Sequence, residues 1–543
     1  MLLTVAHVRV IGVMQGREGA RKTAGLGLGV AILIGLGAFE RLALGLAARV
    51  GPLDGAGLIW PGQTNISEKP PFRGIILPVN TWGALCALQT EPSLPMTAPT
   101  VLPVSLKSSP NLPKVARAKG AYVWDIAGKQ YIDGSGGPAV YCIGHANEEV
   151  NAAVMAQMGQ IAHGYRYNFT SDALEDMTQI IRQLCGGTLS DMVFVTGGSE
   201  AVESCLKIAL QYQTAIGRKG RRKFISRQRS WHGNTFGAMG VSGFEERTRD
   251  YDGAFIPSVK LSPANVYRPV DGAAADTAGA ACAAELEAAI LREGAETVAA
   301  FIFEPVVGAA GGCVPAPDGY AKAVREICTK YGVMMIADEV MCGAGRCGTW
   351  RALAHDGVEP DIMSVAKGLA AGYMPLGAAI CTKQVSEAIH LAHGAFGTGH
   401  TFTGHTAACA AGVAVQRIVA RERLVERVAA NGPKLKEWLA TALAGVDAVG
   451  DIRGRGHFIA AELVEDRASK RPFKADRKLH LKIRAQALEN GLICYPVGGN
   501  VDGVNGDIII LAPPYNATEA ELGEIVDKTA LSIRQVLRGE GLL

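Results

Sequence analysis

Short, uninterrupted apolar runs alternate with helix-like runs through the middle of this 543-residue chain, and that alternation restricts its fold more than any other feature. "MVFVT" (192–196) leads into the helical "EAVESCLKIALQYQ". "AAFIFE" (299–304) and "VMMIAD" (333–338) flank the helical "GYAKAVREICTKY", and "DIMSVA" (361–366) follows. A strand apolar at successive positions has no face for water, so helices must cover its sheet on both sides. This predicts an α/β fold built on a parallel sheet. Hydrophobic residues make up 48% of the chain and charged ones 19%, which supplies the core and excludes a disordered chain. Ahead of this region "YVWDIAGKQYIDG" (122–134) alternates apolar and polar and turns at Ala127–Gly128, the pattern of a β-hairpin. From about 410 the pattern is helical, then mixed, and it ends in a helix after Thr518.

The 54 Lys and Arg against 51 Asp and Glu leave a net charge of +3, too small to imply a nucleic-acid partner. All of that surplus lies in residues 1–95, with eight basic and five acidic side chains. Thr23 to Phe39 carries no charge, between Arg17, Arg21 and Lys22 on one side and Glu40 and Arg41 on the other. Seventeen residues is the lower limit for a bilayer span. Residues 1–95 are therefore expected to be a leader outside the catalytic body: a targeting segment, a membrane anchor, or the result of a start assigned upstream of Met96. Twelve cysteines are scattered singly, with no Cys-x-x-Cys pair and no zinc-like Cys/His spacing. That predicts no metal site and a reducing, cytoplasmic setting, with membrane association only through residues 23–39.

Three motifs carry chemistry. In "VFVTGGSEAVES" (193–204) a buried strand meets two glycines and a helix that begins near Ser199. Free N–H groups at a helix start suit a phosphate, although the same turn can be only a turn. In "MMIADEV" (334–340) Asp338 ends a buried strand, where α/β sheets place ligand chemistry or simply a capping carboxylate. In "PDIMSVAKGLAAGYMPLGA" (360–378) Lys367 follows a strand directly. Desolvated in a cleft, its amine becomes a nucleophile; extended to solvent, it does not. A phosphate cradle, a carboxylate and a strand-end lysine are together the contacts required by pyridoxal 5′-phosphate (PLP). "SWHGNT" (230–235) adds Trp231 to stack on the ring and His232 to pack against it.

In these motifs, and in "FEPVVGAAGGCVPAPDGY", "IADEVMCGAGRCGTW" and "HTFTGHTAACAAG", the chain resembles the class III (ω-) aminotransferases of the fold type I PLP enzymes. The resemblance runs from about 105 to 535 and includes the 29-residue spacing from Asp338 to Lys367. It implies a large PLP-binding domain (150–405) around a mostly parallel seven-stranded sheet. A smaller α/β domain would combine 96–149 with 406–543. Gly198 and Ser199 would hold the phosphate. Trp231, where the family more often has Tyr, and Val340 would enclose the ring. Asp338 would pair with the ring nitrogen, Lys367 would form the Schiff base, and Glu304 would join the polar network. Thr401 would reach the phosphate of a neighbouring subunit, so a homodimer is implied.

The same resemblance implies amino transfer from a primary amine or ω-amino acid to a 2-oxo acid such as pyruvate, with ping-pong kinetics. A decarboxylase-transaminase or aminomutase of the same fold is the nearest alternative. A membrane-tethered binding protein without catalysis is the alternative of another class. Many relatives carry a carboxylate-gripping Arg ahead of their C-terminal "APP". Here "YPVGGNVDGVNGDIIILAPPY" (495–515) has none, and Gly503 and Asn505 stand near its place. Arg268 is the expected substitute, with Tyr141, Tyr165 and Trp231 as substrate-pocket walls.

Overall fold

The computed structural model describes residues 112–543. The apolar segment 23–39 and Met96 lie outside the described residues. Three short strands come first among the described residues: β1 (Val115–Lys119), β2 (Tyr122–Asp125) and β3 (Gln130–Asp133). β2 and β3 form the antiparallel hairpin expected from the sequence, with Gly128 turning at φ 85°. A seven-stranded sheet follows, made from β4 (Leu189–Val195), β5 (Lys223–Arg227), β6 (Ser258–Leu261), β7 (Val298–Phe303), β10 (Met334–Asp338), β11 (Ile362–Val365) and β12 (Gly377–Thr382). β8 (Val306–Val307) and β9 (Val314–Pro315) form a separate small hairpin.

The order in the large sheet is β4-β12-β11-β10-β7-β5-β6. The pairs β5–β6, β5–β7, β7–β10 and β10–β11 are parallel, whereas β12 runs antiparallel to both β11 and β4. Alternate residues serve opposite faces. Phe301 and Phe303 of β7 join one core with helices Ala278–Glu293 and Tyr320–Tyr331. Ala300 and Ile302 join another with helix Gly198–Ala215. Both faces are thus covered, which is why all six residues of β7 are buried.

Two further sheets complete the body. β13 (Val449–Arg455), β14 (Phe458–Leu463), β16 (Tyr495–Gly498) and β17 (Asp507–Leu511) form one, in the order β13-β14-β17-β16. β15 (Leu492–Ile493) pairs with β3, so a late segment of the chain completes the first sheet. The last helix, Glu519–Gly539, starts at the capping box of Thr518 and Glu521. Among the described residues, no helix is long and apolar enough to cross a membrane.

Candidate active site

The parallel strands β4, β5, β7, β10 and β11 deliver their following residues to one cleft of about 360 Å³, the place an α/β sheet offers for chemistry. Gly198, Ser199, Trp231, His232, Glu304, Asp338, Val340 and Lys367 all line it.

Asp338 ends β10 and is buried. Its Oδ2 lies 2.7 Å from His232 Nδ1, while its Oδ1 accepts from the Val340 N–H at 3.0 Å and the Ser364 hydroxyl at 2.9 Å. Three donors suit an ionised carboxylate, and they leave His232 Nε2 buried with no partner among the described residues. Ser364 is the holding residue that sequence reasoning passed over. It stands beside Asp338 in the β10–β11 register, and a lone hydroxyl within the apolar strand "IMSV" was its signal.

Lys367 follows β11 with a left-handed backbone, φ 45°, a conformation that costs a lysine about 1–2 kcal/mol. Burial pushes its amine below the usual lysine range, and the nearby Asp338 and Glu304 carboxylates oppose that shift without cancelling it. Glu304 follows β7. Its two oxygens accept from the Trp231 N–H at 2.9 Å and the Gly308 N–H at 2.8 Å. Burial pushes its carboxyl up to about 7, against the pull of His232 and the two backbone donors.

On the opposite side, helix Gly198–Ala215 begins at Gly197 with no side-chain cap, so its first N–H groups face the cleft without an internal acceptor. Ser199 Oγ accepts from the Asn234 N–H at 2.9 Å, which ties this turn to the "SWHGNT" segment. Val340 packs directly on Gly198: a Cβ there would lie 2.6 Å from Val340 Cγ1. The glycine lets the helix start and the residue after Asp338 approach each other. Trp231 is half-buried and meets Phe244 edge-on, with ring centroids 5.9 Å apart.

Four expected residues stand outside the lining of this cleft. Tyr141 packs behind Gly372, itself a lining residue. Tyr165 and Thr401 are exposed. Arg268 is committed elsewhere, because its Nε and Nη2 donate to Glu462 Oε1 at 3.0 and 2.6 Å.

Residues 104–533 match the family model for aminotransferase class III. The chain belongs to the class III aminotransferases. It is 38% identical over 430 residues to an uncharacterised aminotransferase of Schizosaccharomyces pombe, covering 78% of this chain and 94% of that one. It is 35% identical over 432 residues to the diaminobutyrate–2-oxoglutarate transaminase of Halomonas elongata, covering 78% and 90%. Among solved structures it is similar to an amine transaminase from an uncultivated Pseudomonas species, solved with PLP bound. That match has a TM-score of 0.75 and 32% identity, over 80% of this chain and 98% of that one. Class III aminotransferases depend on PLP. The residues present fit that group: an uncapped helix start for a phosphate, a three-donor carboxylate for a ring N–H, and a desolvated amine meet in one cleft.

Proposed function

We propose that this aminotransferase moves an amino group from a primary amine or ω-amino acid to a 2-oxo acid such as pyruvate. The reading rests on one observation: Lys367, Asp338 and the open helix start line a single cleft. Gly198 and Ser199 would hold the PLP phosphate, Trp231 and Val340 would enclose its ring, and Asp338 would accept from the ring nitrogen's N–H. His232 and Glu304 hold these contacts in place. When bound, PLP supplies an electron sink conjugated with the carbon that carries the amino group. The Lys367 amine, lowered by burial, takes a proton from that carbon and returns one on the way back. Asp338 keeps negative charge fixed opposite the ring nitrogen while this happens. Donor leaves as a carbonyl compound before acceptor enters, so a single cleft gives ping-pong kinetics.

Further parts of the reading concern assembly. Exposed Thr401 and Tyr165 suit a homodimer in which each protomer adds to its partner's site. Residues 150–405 would form the large domain, and 96–149 with 406–543 the small one, of which 96–111 lie outside the described residues. The described cysteines are all buried and unpaired, which supports a reducing, cytoplasmic setting.

The test is a screen of amine donors against pyruvate and 2-oxoglutarate with PLP-loaded protein, reading the amino product. Lys367→Ala should show no turnover. Turnover in that variant, or carbon dioxide release or donor isomerisation without an acceptor, would replace this reading.

A further inference from the structure

The C-terminal loop lacks an arginine, and the structure shows what takes up the space. A Cβ on Gly503 would lie 2.7 Å from Glu245 Oε2 and 2.9 Å from an Arg229 Nη atom, and Arg249 Nη2 reaches the Gly503 carbonyl at 3.5 Å. Asn505 is occupied within its own turn, donating to Asp502 at 2.8 Å and accepting from the Ala475 N–H at 3.1 Å. A side chain at Gly503 would have no room between the Glu245 carboxylate and the Arg229 guanidinium. The cations in this region come instead from either side of "SWHGNT", with Arg229 before it and Arg247 and Arg249 after it.

Of these, Arg229 is held by the Gly499 carbonyl at 2.7 Å and lies 3.8 Å from Glu246. Arg268 is paired with Glu462. Arg247 and Arg249 are both exposed and, among the described residues, make no ion pair, but Arg249 turns to the Gly503 carbonyl whereas Arg247 turns to the cleft. Its guanidinium carbon lies 4.7 Å from the centroid of Trp231, a cleft-lining ring, and 4.8 Å from that of Phe244. One Nη donates to the Tyr495 hydroxyl at 3.4 Å. Two aromatic rings and a tyrosine thus hold a planar cation at the edge of the cleft without neutralising it. Its charge is felt inside, where it adds to the downward push on the Lys367 amine.

We propose that Arg247 is the specificity-determining residue that binds the substrate carboxylate of this transaminase. The ligand class is an ω-amino acid or 2-oxo acid whose carboxylate takes the free edge of the guanidinium fork in two hydrogen bonds. The proposal rests on the transaminase reading for its substrates, but not for its binding chemistry.

Two measurements on the PLP-loaded enzyme separate these claims. The first is calorimetric titration with maleate, a carboxylate with no amine or carbonyl to react. Arg247→Gln should weaken binding about tenfold or more, as expected for loss of a charge-assisted pair, and Arg247→Lys should recover part of it. Equal maleate binding in wild type and Arg247→Gln, none included, overturns the proposal whatever the enzyme's reaction. The second is the KM for pyruvate and the kcat/KM for amine donors with and without a carboxylate. Arg247→Gln should penalise the carboxylate-bearing substrates at least tenfold more than a carboxylate-free amine. An equal penalty on both overturns Arg247 as the carboxylate site and leaves the transaminase reading standing. Absence of transamination in wild type defeats that reading alone.

Discussion

Asp338→Asn separates what the carboxylate does for the fold from what it does for catalysis. Asparagine can keep its carbonyl oxygen towards the Val340 N–H and the Ser364 hydroxyl, now served by Oδ1 at 3.0 and 2.9 Å. Its amide nitrogen then replaces Oδ2 and donates to His232 Nδ1, 2.7 Å away in the wild type. The imidazole proton must move to Nε2, which is buried and unpartnered among the described residues. The structural change is therefore small: one charge-assisted bond becomes neutral, and an unpaired acceptor becomes an unpaired donor. That should cost about 1–2 kcal/mol, a drop of a few degrees in Tm. Catalysis should suffer far more, because a neutral amide cannot hold a proton on the ring nitrogen. Loss of one fixed electrostatic contact costs about 10²–10³ in rate at comparable sites. The assay is kcat/KM for amino transfer, alongside melting curves and PLP content. A rate loss below tenfold with PLP retained would mean that Asp338 serves the fold alone. A collapse in Tm would show that His232 cannot exchange tautomers as argued.

Gly198→Ala drives a Cβ to 2.6 Å from Val340 Cγ1 and should cost about 1–3 kcal/mol of strain, weakening PLP binding in a cofactor titration. Adding Val340→Ala should restore part of the loss in melting temperature, and no restoration would place the strain elsewhere. Burial holds the Glu304 carboxyl at about 7, above its ordinary 4.5, so the folded state binds that proton more tightly than the unfolded chain. Its contribution to stability is full below pH 4.5 and is lost as pH rises through about 7. Glu304→Gln should flatten part of the fall in unfolding free energy over that window, and an unchanged slope would contradict the assignment.

Four strands of the large sheet were legible because each is a continuous apolar run ending in a chemically distinct residue. β12, "GAAICT", was not: its small side chains read as a continuation of the glycine-rich loop, and only the sheet shows it running antiparallel between β11 and β4. β6 is a half-buried edge strand of four residues containing a lysine, too short for periodicity to mark. In the site, Asp338 and Lys367 stood out because a polar residue directly after an apolar strand has few places to go. The arginines could not be sorted from sequence. Arg268 is neutralised by Glu462, 194 positions away, and Arg247 gains its setting from Trp231 and Tyr495, which lie in other segments. Charge alone did not say which cation stands over the cleft-lining ring.

The pairing of β3 with β15 fixes when the enzyme can become an enzyme. Ile132 and Leu492 are partners although 360 positions separate them. The segment that leads from β3 to cleft-lining Val140 is pinned by still later residues, with the Ala512 N–H on the Gly134 carbonyl and the Tyr515 N–H on the Cys142 carbonyl. On the ribosome, the β2–β3 hairpin must therefore wait with an unpaired strand edge until β15 has emerged, and the segment after it until residue 515 has. The central sheet can form earlier, around its own local crossovers. A nascent chain thus has its lysine and aspartate in place well before it has a closed cleft around them. Truncation shortly before residue 507 should leave a folded sheet with no working site, and exposed edges that invite aggregation.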